Sequence, residues 1–74
     1  MVNACILIKA SPIKFEQVLI AVKQMKEVKK AYVTYGRFDI VSFIEARNNN
    51  DVAEVSARIN GLEGVRSSET LVEA

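Results

Sequence analysis

The chain holds few groups that could do chemistry, and the clearest is a carboxylate at the mouth of a strand: Asp39 in YGRFDIVSFIEA, three residues beyond Gly36. A glycine between the apolar runs KKAYVT and IVSFIEA marks a hairpin turn, with Gly36 suited to φ > 0 and Arg37 a solvated tip. An aspartate there can accept hydrogen bonds from turn N–H groups or from an ammonium group. Ser68 and Thr70, alternating in SSET, put two hydroxyls on one side of a later strand.

Enzymatic chemistry is poorly supplied. The chain has no His, the commonest general acid or base, and its one cysteine, Cys5, lies mid-strand with nothing to activate it, so it reads as a small buried hydrophobe. Asp39 and Glu45 are six residues apart on one strand, about 20 Å at ~3.3 Å per residue, too far to share a substrate. Glu63, Glu69 and Glu73 read as solvated charge. One Cys and zero His give neither an intrachain disulfide nor a Cys/His zinc site. No catalytic residue, metal or cofactor is expected.

Ten Lys and Arg against nine Asp and Glu leave a net charge of +1, far from the concentrated positive charge of nucleic-acid binders. The cluster KQMKEVKK is a local exception and reads as the wet face of a helix. GRFDIVSF can be laid on the third strand of an RNA-recognition motif, but Ile40 stands where a base-stacking aromatic is needed and Asp39 adds a carboxylate. The first loop, KASPIK, has neither the C-x-x-C of metal-transfer domains nor the glycines of a phosphate-binding loop. A lone thiol, no apolar run near the ~18 residues of a membrane span, and no signal peptide suit a cytoplasmic chain without membrane contact.

The elements that must position Asp39 follow from periodicity. VNACILIKA is a strand with Val2, Ala4, Ile6 and Ile8 on one face and apolar Cys5 and Leu7 on the other. Ser11 and Pro12 suit the start of a helix running to about Val28, with Phe15, Val18, Leu19, Val22 and Met25 as its stripe. AYVTY and DIVSFIEA form the hairpin. Asp51 and Glu54 are spaced as a capping box for a second helix carrying Val52, Val55, Ile59 and Leu62; NGLEG ends it, and VRSSETLVEA is the last strand.

The order β-α-β-β-α-β predicts an α+β, ferredoxin-like domain spanning residues 1–74, with a four-stranded antiparallel sheet and two helices on one face. The other face carries Val41, Phe43, Cys5 and Leu7 and cannot be left to water. With half the residues apolar in 74, a second sheet stacked there, making a dimer, is the predicted cover.

YGRFDIVSFIEA is similar to the T-G-x-[YF]-D segment, and INGLEGVRSSETLV to the closing I-x-x-L-x-G-V-x-x-T-x-T-x-V segment, of the RAM (regulation of amino-acid metabolism) domain. This is the effector-binding half of the Lrp/AsnC transcriptional regulators. SPIKFEQVLIAVKQMKEVKKAYVTYG resembles the first helix and second strand, so the similarity covers nearly the whole chain.

The resemblance implies an amino-acid effector domain rather than an enzyme, a dimer of stacked sheets of dimeric α+β barrel type, and assembly of dimers into a ring, an octamer or similar. Effectors would bind between dimers, on the loop Tyr35, Gly36, Arg37 and Asp39, helped by Ser68 and Thr70. Asp39 would meet the α-ammonium. Tyr35 stands where the family has threonine, bulky enough to narrow the pocket, and Ser68 replaces the first threonine of T-x-T.

Family members usually carry a preceding helix-turn-helix. With Met1 one residue before the first strand, the chain resembles stand-alone RAM modules, so no DNA binding of its own is expected, and a full-length Lrp/AsnC-type regulator is the expected partner. Competing readings are a cofactor-free dimeric α+β barrel enzyme, disfavoured by zero His and zero Trp, and a purely structural assembly subunit.

Overall fold

The computed structural model describes residues 1–74. Six elements follow one another: β1 (Val2–Ala10), α1 (Phe15–Lys23), β2 (Val28–Val33), β3 (Ile40–Ala46), α2 (Asn49–Asn60) and β4 (Val65–Val72). All strand pairs are antiparallel and the sheet order is β2-β3-β1-β4. This is the ferredoxin-like βαββαβ arrangement that the periodicity predicts.

The strands alternate as a half-covered sheet requires. Ile6, Ile8, Ile40 and Ile44 are buried beneath Val18 and Val22 of α1 and Val52, Val55 and Ile59 of α2. Ser42 is the one polar residue buried in this layer, and its hydroxyl donates to the Ile6 carbonyl at 3.0 Å. Such a bond removes the penalty an unpartnered buried hydroxyl would carry.

Both helix starts differ from the sequence expectation. Ser11 does not cap α1: its N–H donates to the Gly64 carbonyl at 2.7 Å and its carbonyl accepts from Lys14 N–H at 3.0 Å, which makes a turn ahead of a helix beginning at Phe15 with no side-chain cap. That helix ends at Lys23, not near Val28, because Val28 is needed by the sheet, where it pairs with Ile44. The lysine cluster is therefore split, with Lys23 on α1, Lys26 in the turn, and Lys29 and Lys30 on β2.

The second helix is capped by Asn48, whose Oδ1 accepts from Asp51 N–H at 2.9 Å, three residues before the predicted cap. Asp51 instead pairs with Arg47 at 2.8 Å. Asn48, Asn49, Asn50 and Asp51 can all cap, and the residue next to the strand end takes the role.

The uncovered sheet face is laid out by register in two rows: Tyr32–Val41–Leu7–Glu69 and Lys30–Phe43–Cys5–Leu71. Its centre is apolar and wet, with Phe43 43% and Leu71 53% exposed, and Tyr32 stands edge-on to Phe43 at 6.2 Å between ring centroids. Cys5 is half-buried in the middle of this face, and burial pushes its thiol pKa up, away from the reactive thiolate.

Candidate functional site

The end of the β2–β3 hairpin is a six-residue connection, Thr34 to Asp39, pinned at its base. Thr34 N–H donates to the Asp39 carbonyl at 2.8 Å, and the Thr34 hydroxyl donates to the Phe38 carbonyl at 2.8 Å. Gly36 turns the chain with φ +127°, a conformation side-chain-bearing residues rarely adopt. None of the N–H groups of Tyr35, Gly36, Arg37 and Phe38 is bonded within the chain. Successive free N–H groups in a turn form a concavity favourable to anions.

Asp39 ties this loop to β1. Its N–H donates to the Ile8 carbonyl at 2.9 Å, and its Oδ2 accepts from Ala10 N–H at 2.8 Å. One carboxylate oxygen is thus spent on the end of a strand, while Oδ1 takes no donor from the chain. Beside it lies a cleft of about 220 Å³ lined by Ala10, Pro12, Phe15, Val33, Thr34, Tyr35 and Asp39. Asp39 is the only charged group among them.

Of the residues that the sequence nominates, the structure brings Tyr35 and Asp39 to one cleft. Gly36 and Arg37 are exposed at the loop tip just beyond it. Tyr35 is fully exposed at the mouth. Ser68 and Thr70 do not join them within one chain. They sit on the helix-covered face opposite Ile8 and Ile6, where the Ser68 hydroxyl donates to Asn60 Oδ1 at 2.7 Å and Thr70 Oγ1 shares a hydrogen bond with Ser56 Oγ at 2.6 Å. Within the single chain both hydroxyls are thus bonded to α2 and lie outside the lining of the Asp39 cleft.

Ala10, Pro12, Phe15, Val33 and Thr34 line the cleft without being nominated by the sequence. Phe15 reads as part of the core stripe and Pro12 as a helix-starting residue. Only the turn inserted before α1, which no local pattern announces, brings Pro12 to the hairpin.

A larger concavity of about 630 Å³ lies between the α1–β2 turn and the start of α2. Two ion pairs stand in it, Arg58 with Glu27 at 2.7 Å and Arg47 with Asp51, while Lys26, Lys29, Glu45 and Glu54 form none. Burial raises the Glu27 pKa, but its own backbone N–H and the Arg58 guanidinium outweigh this and hold it below the ordinary value. Only Met1 and Ala46 give it apolar lining, whereas the Asp39 cleft sets one carboxylate against a mostly apolar wall, the usual make-up of a small-molecule site, and is the better candidate. No three His, Cys, Asp or Glu side chains stand close enough to hold a metal ion, and no helix is long and apolar enough to cross a membrane.

A βαββαβ domain with a mostly apolar cleft and one carboxylate at a Gly-x-x-Asp hairpin is a small α+β module with room for a small ligand. The chain belongs to the Lrp/AsnC ligand binding domain family: the family model matches residues 3–73. Among solved structures it is similar to FFRP-DM1, with 28% identity, full coverage of both chains and a TM-score of 0.93. It is also similar to TTHA0845 from Thermus thermophilus, with 25% identity over all of this chain and 94% of that one, and a TM-score of 0.96. AsnC from E. coli matches 97% of this chain at 26% identity and a TM-score of 0.90, but this chain spans only 50% of AsnC. A search of curated proteins returns no match. The chain is thus an effector-binding regulatory module of Lrp/AsnC type.

Proposed function

We propose that the effector is a free α-amino acid, held at the Asp39 cleft, and that its occupancy controls self-assembly and thereby a partner regulator. The observation that carries this reading is the pairing of opposite chemistries on one loop. Asp39 Oδ1 is unspent, and the N–H groups of Tyr35–Phe38 are unbonded a few residues away. An α-amino acid presents an ammonium and a carboxylate on one carbon, and both halves find a complement here. Arg37, exposed at the tip, adds a cation on the carboxylate side.

The apolar uncovered sheet face supports a dimer made by stacking two such faces, since an isolated chain of this size would leave Phe43, Leu71 and Tyr32 in water. Dimers would then join into a ring around the hairpin ends, in the cytoplasm, with a full-length Lrp/AsnC-type regulator as the further partner. We assign Ser68 and Thr70 to holding α2 on β4 rather than to the ligand.

A screen of the common amino acids by thermal shift tests the central point, because a ligand that binds only the folded state raises the melting temperature by linkage. At least one amino acid should do so. No shift with any would favour the competing reading of a purely structural assembly subunit, which has its own support in the Asp39–Ala10 bond, what an aspartate that merely fastens a turn would make.

A further inference from the structure

Resting on that reading, we infer that this cleft selects amino acids with an uncharged, non-polar side chain of small to medium size, and that Tyr35 is a specificity-determining residue. With the ammonium at Asp39 Oδ1 and the carboxylate on the loop N–H groups, the ligand's side chain runs along what remains of this chain's share of the wall. That wall is Ala10, Pro12, Phe15, Val33 and the ring of Tyr35.

No Lys or Arg lines it to meet an acidic side chain. A basic side chain finds no second carboxylate, because Asp39 is the only one and half of it already serves Ala10 N–H. A charged side chain would lose its hydration with nothing in return, whereas an aliphatic or thioether chain gains by leaving water. At about 220 Å³ the space falls below the roughly 300–1,000 Å³ of pockets for larger organic ligands.

Tyr35 is fully exposed and no contact within the domain requires an aromatic there. A ring left in water at the mouth of an apolar cleft gains burial once a ligand's side chain packs against it.

Titration calorimetry of the wild-type chain with leucine, methionine and valine, set against glutamate, glutamine and lysine, tests the selection. The non-polar group should bind tighter by at least about tenfold, the factor that burying one apolar side chain supports. Tighter binding of glutamate or lysine would overturn this inference while leaving the amino-acid reading standing; no binding by any of the six, nor by the remaining amino acids, would overturn that reading itself. Tyr35→Ala should leave the ligand-free melting temperature unchanged and narrow the preference for leucine over glutamine several-fold. An unchanged preference in that variant would overturn the part given to Tyr35.

Discussion

Two stretches that family resemblance assigns to one ligand end up in different circumstances. At the hairpin, Asp39 keeps a carboxylate oxygen free beside a cleft and a run of unbonded N–H groups. At the α2–β4 corner, the hydroxyls of Ser68 and Thr70 are already bonded to Asn60 and Ser56. Residue type nominates a group for binding, but the bonds it makes on folding decide whether it is available. An open carboxylate can be repurposed by a ligand at little cost; a hydroxyl that fastens a helix to its sheet must first be released.

The largest expected effect separates the two regions directly. Asp39→Ala should weaken amino-acid binding by about 1.5–3 kcal/mol, the worth of a charge-assisted bond, or roughly tenfold to a hundredfold in titration calorimetry. Sedimentation should still show the proposed dimer, because the sheet face proposed to build it carries Phe43 and Leu71 rather than Asp39.

The two positive-φ glycines sharpen the contrast in stability. A Cβ at Gly64 (φ +100°) would lie 2.7 Å from Lys14 Cβ and 3.1 Å from Val18 Cγ2, whereas at Gly36 it would meet nothing within 4 Å. Gly36→Ala then costs only backbone strain of about 1–2 kcal/mol, and Gly64→Ala must cost more. Denaturant unfolding of both checks the order. Equal losses would mean that α1 and the α2–β4 turn are not as closely packed as described.

At the corner the effects are smaller. Thr70→Val and Ser68→Ala should each lower stability by about 0.5–1.5 kcal/mol, Thr70 the more because its bond is partly buried while that of Ser68 is exposed. Thermal melts should resolve a few degrees for Thr70→Val, on the scale of about 4–8 °C per kcal/mol for domains of this size. Ligand affinity should not move in either variant, and a drop would return these hydroxyls to the binding site.

The smallest effect belongs to the ion pair outside both regions. Because the Glu27 pKa lies below its ordinary 4.5 when folded, it adds stability that is full above that value and is lost as pH falls through the lower folded one. Glu27→Gln should melt below wild type at about pH 7, and the gap should close as pH falls through the lowered folded value.

Much of this was legible in the sequence. Alternation in VNACILIKA and DIVSFIEA and the three-to-four spacing in both helices fix the fold, because one face of every element has to meet a common core. The place of Asp39 at the hairpin was legible from Gly36 and the apolar runs on either side; its bond to Ala10 N–H was not, because it joins residues 29 apart in sequence. The helix starts were not: three asparagines and Asp51 compete for one cap, and Ser11 spends its backbone on Gly64, a contact between residues 53 apart in sequence. Nor could local pattern show that Ser68 and Thr70 face α2, since that follows from pairing of β4 with β1 opposite Ile8 and Ile6.

The most direct test substitutes a single atom. Asp39→Asn keeps a carbonyl oxygen able to accept from Ala10 N–H, while the charge is lost and the ligand-facing oxygen becomes an N–H donor. Titrated beside wild type with the amino acid that gives the largest thermal shift, it should keep the ligand-free melting temperature and lose about tenfold or more in affinity. Unchanged affinity, with or without a fall in melting temperature, would contradict the assignment of Asp39 to an ammonium and leave it as the residue that fastens the hairpin to β1.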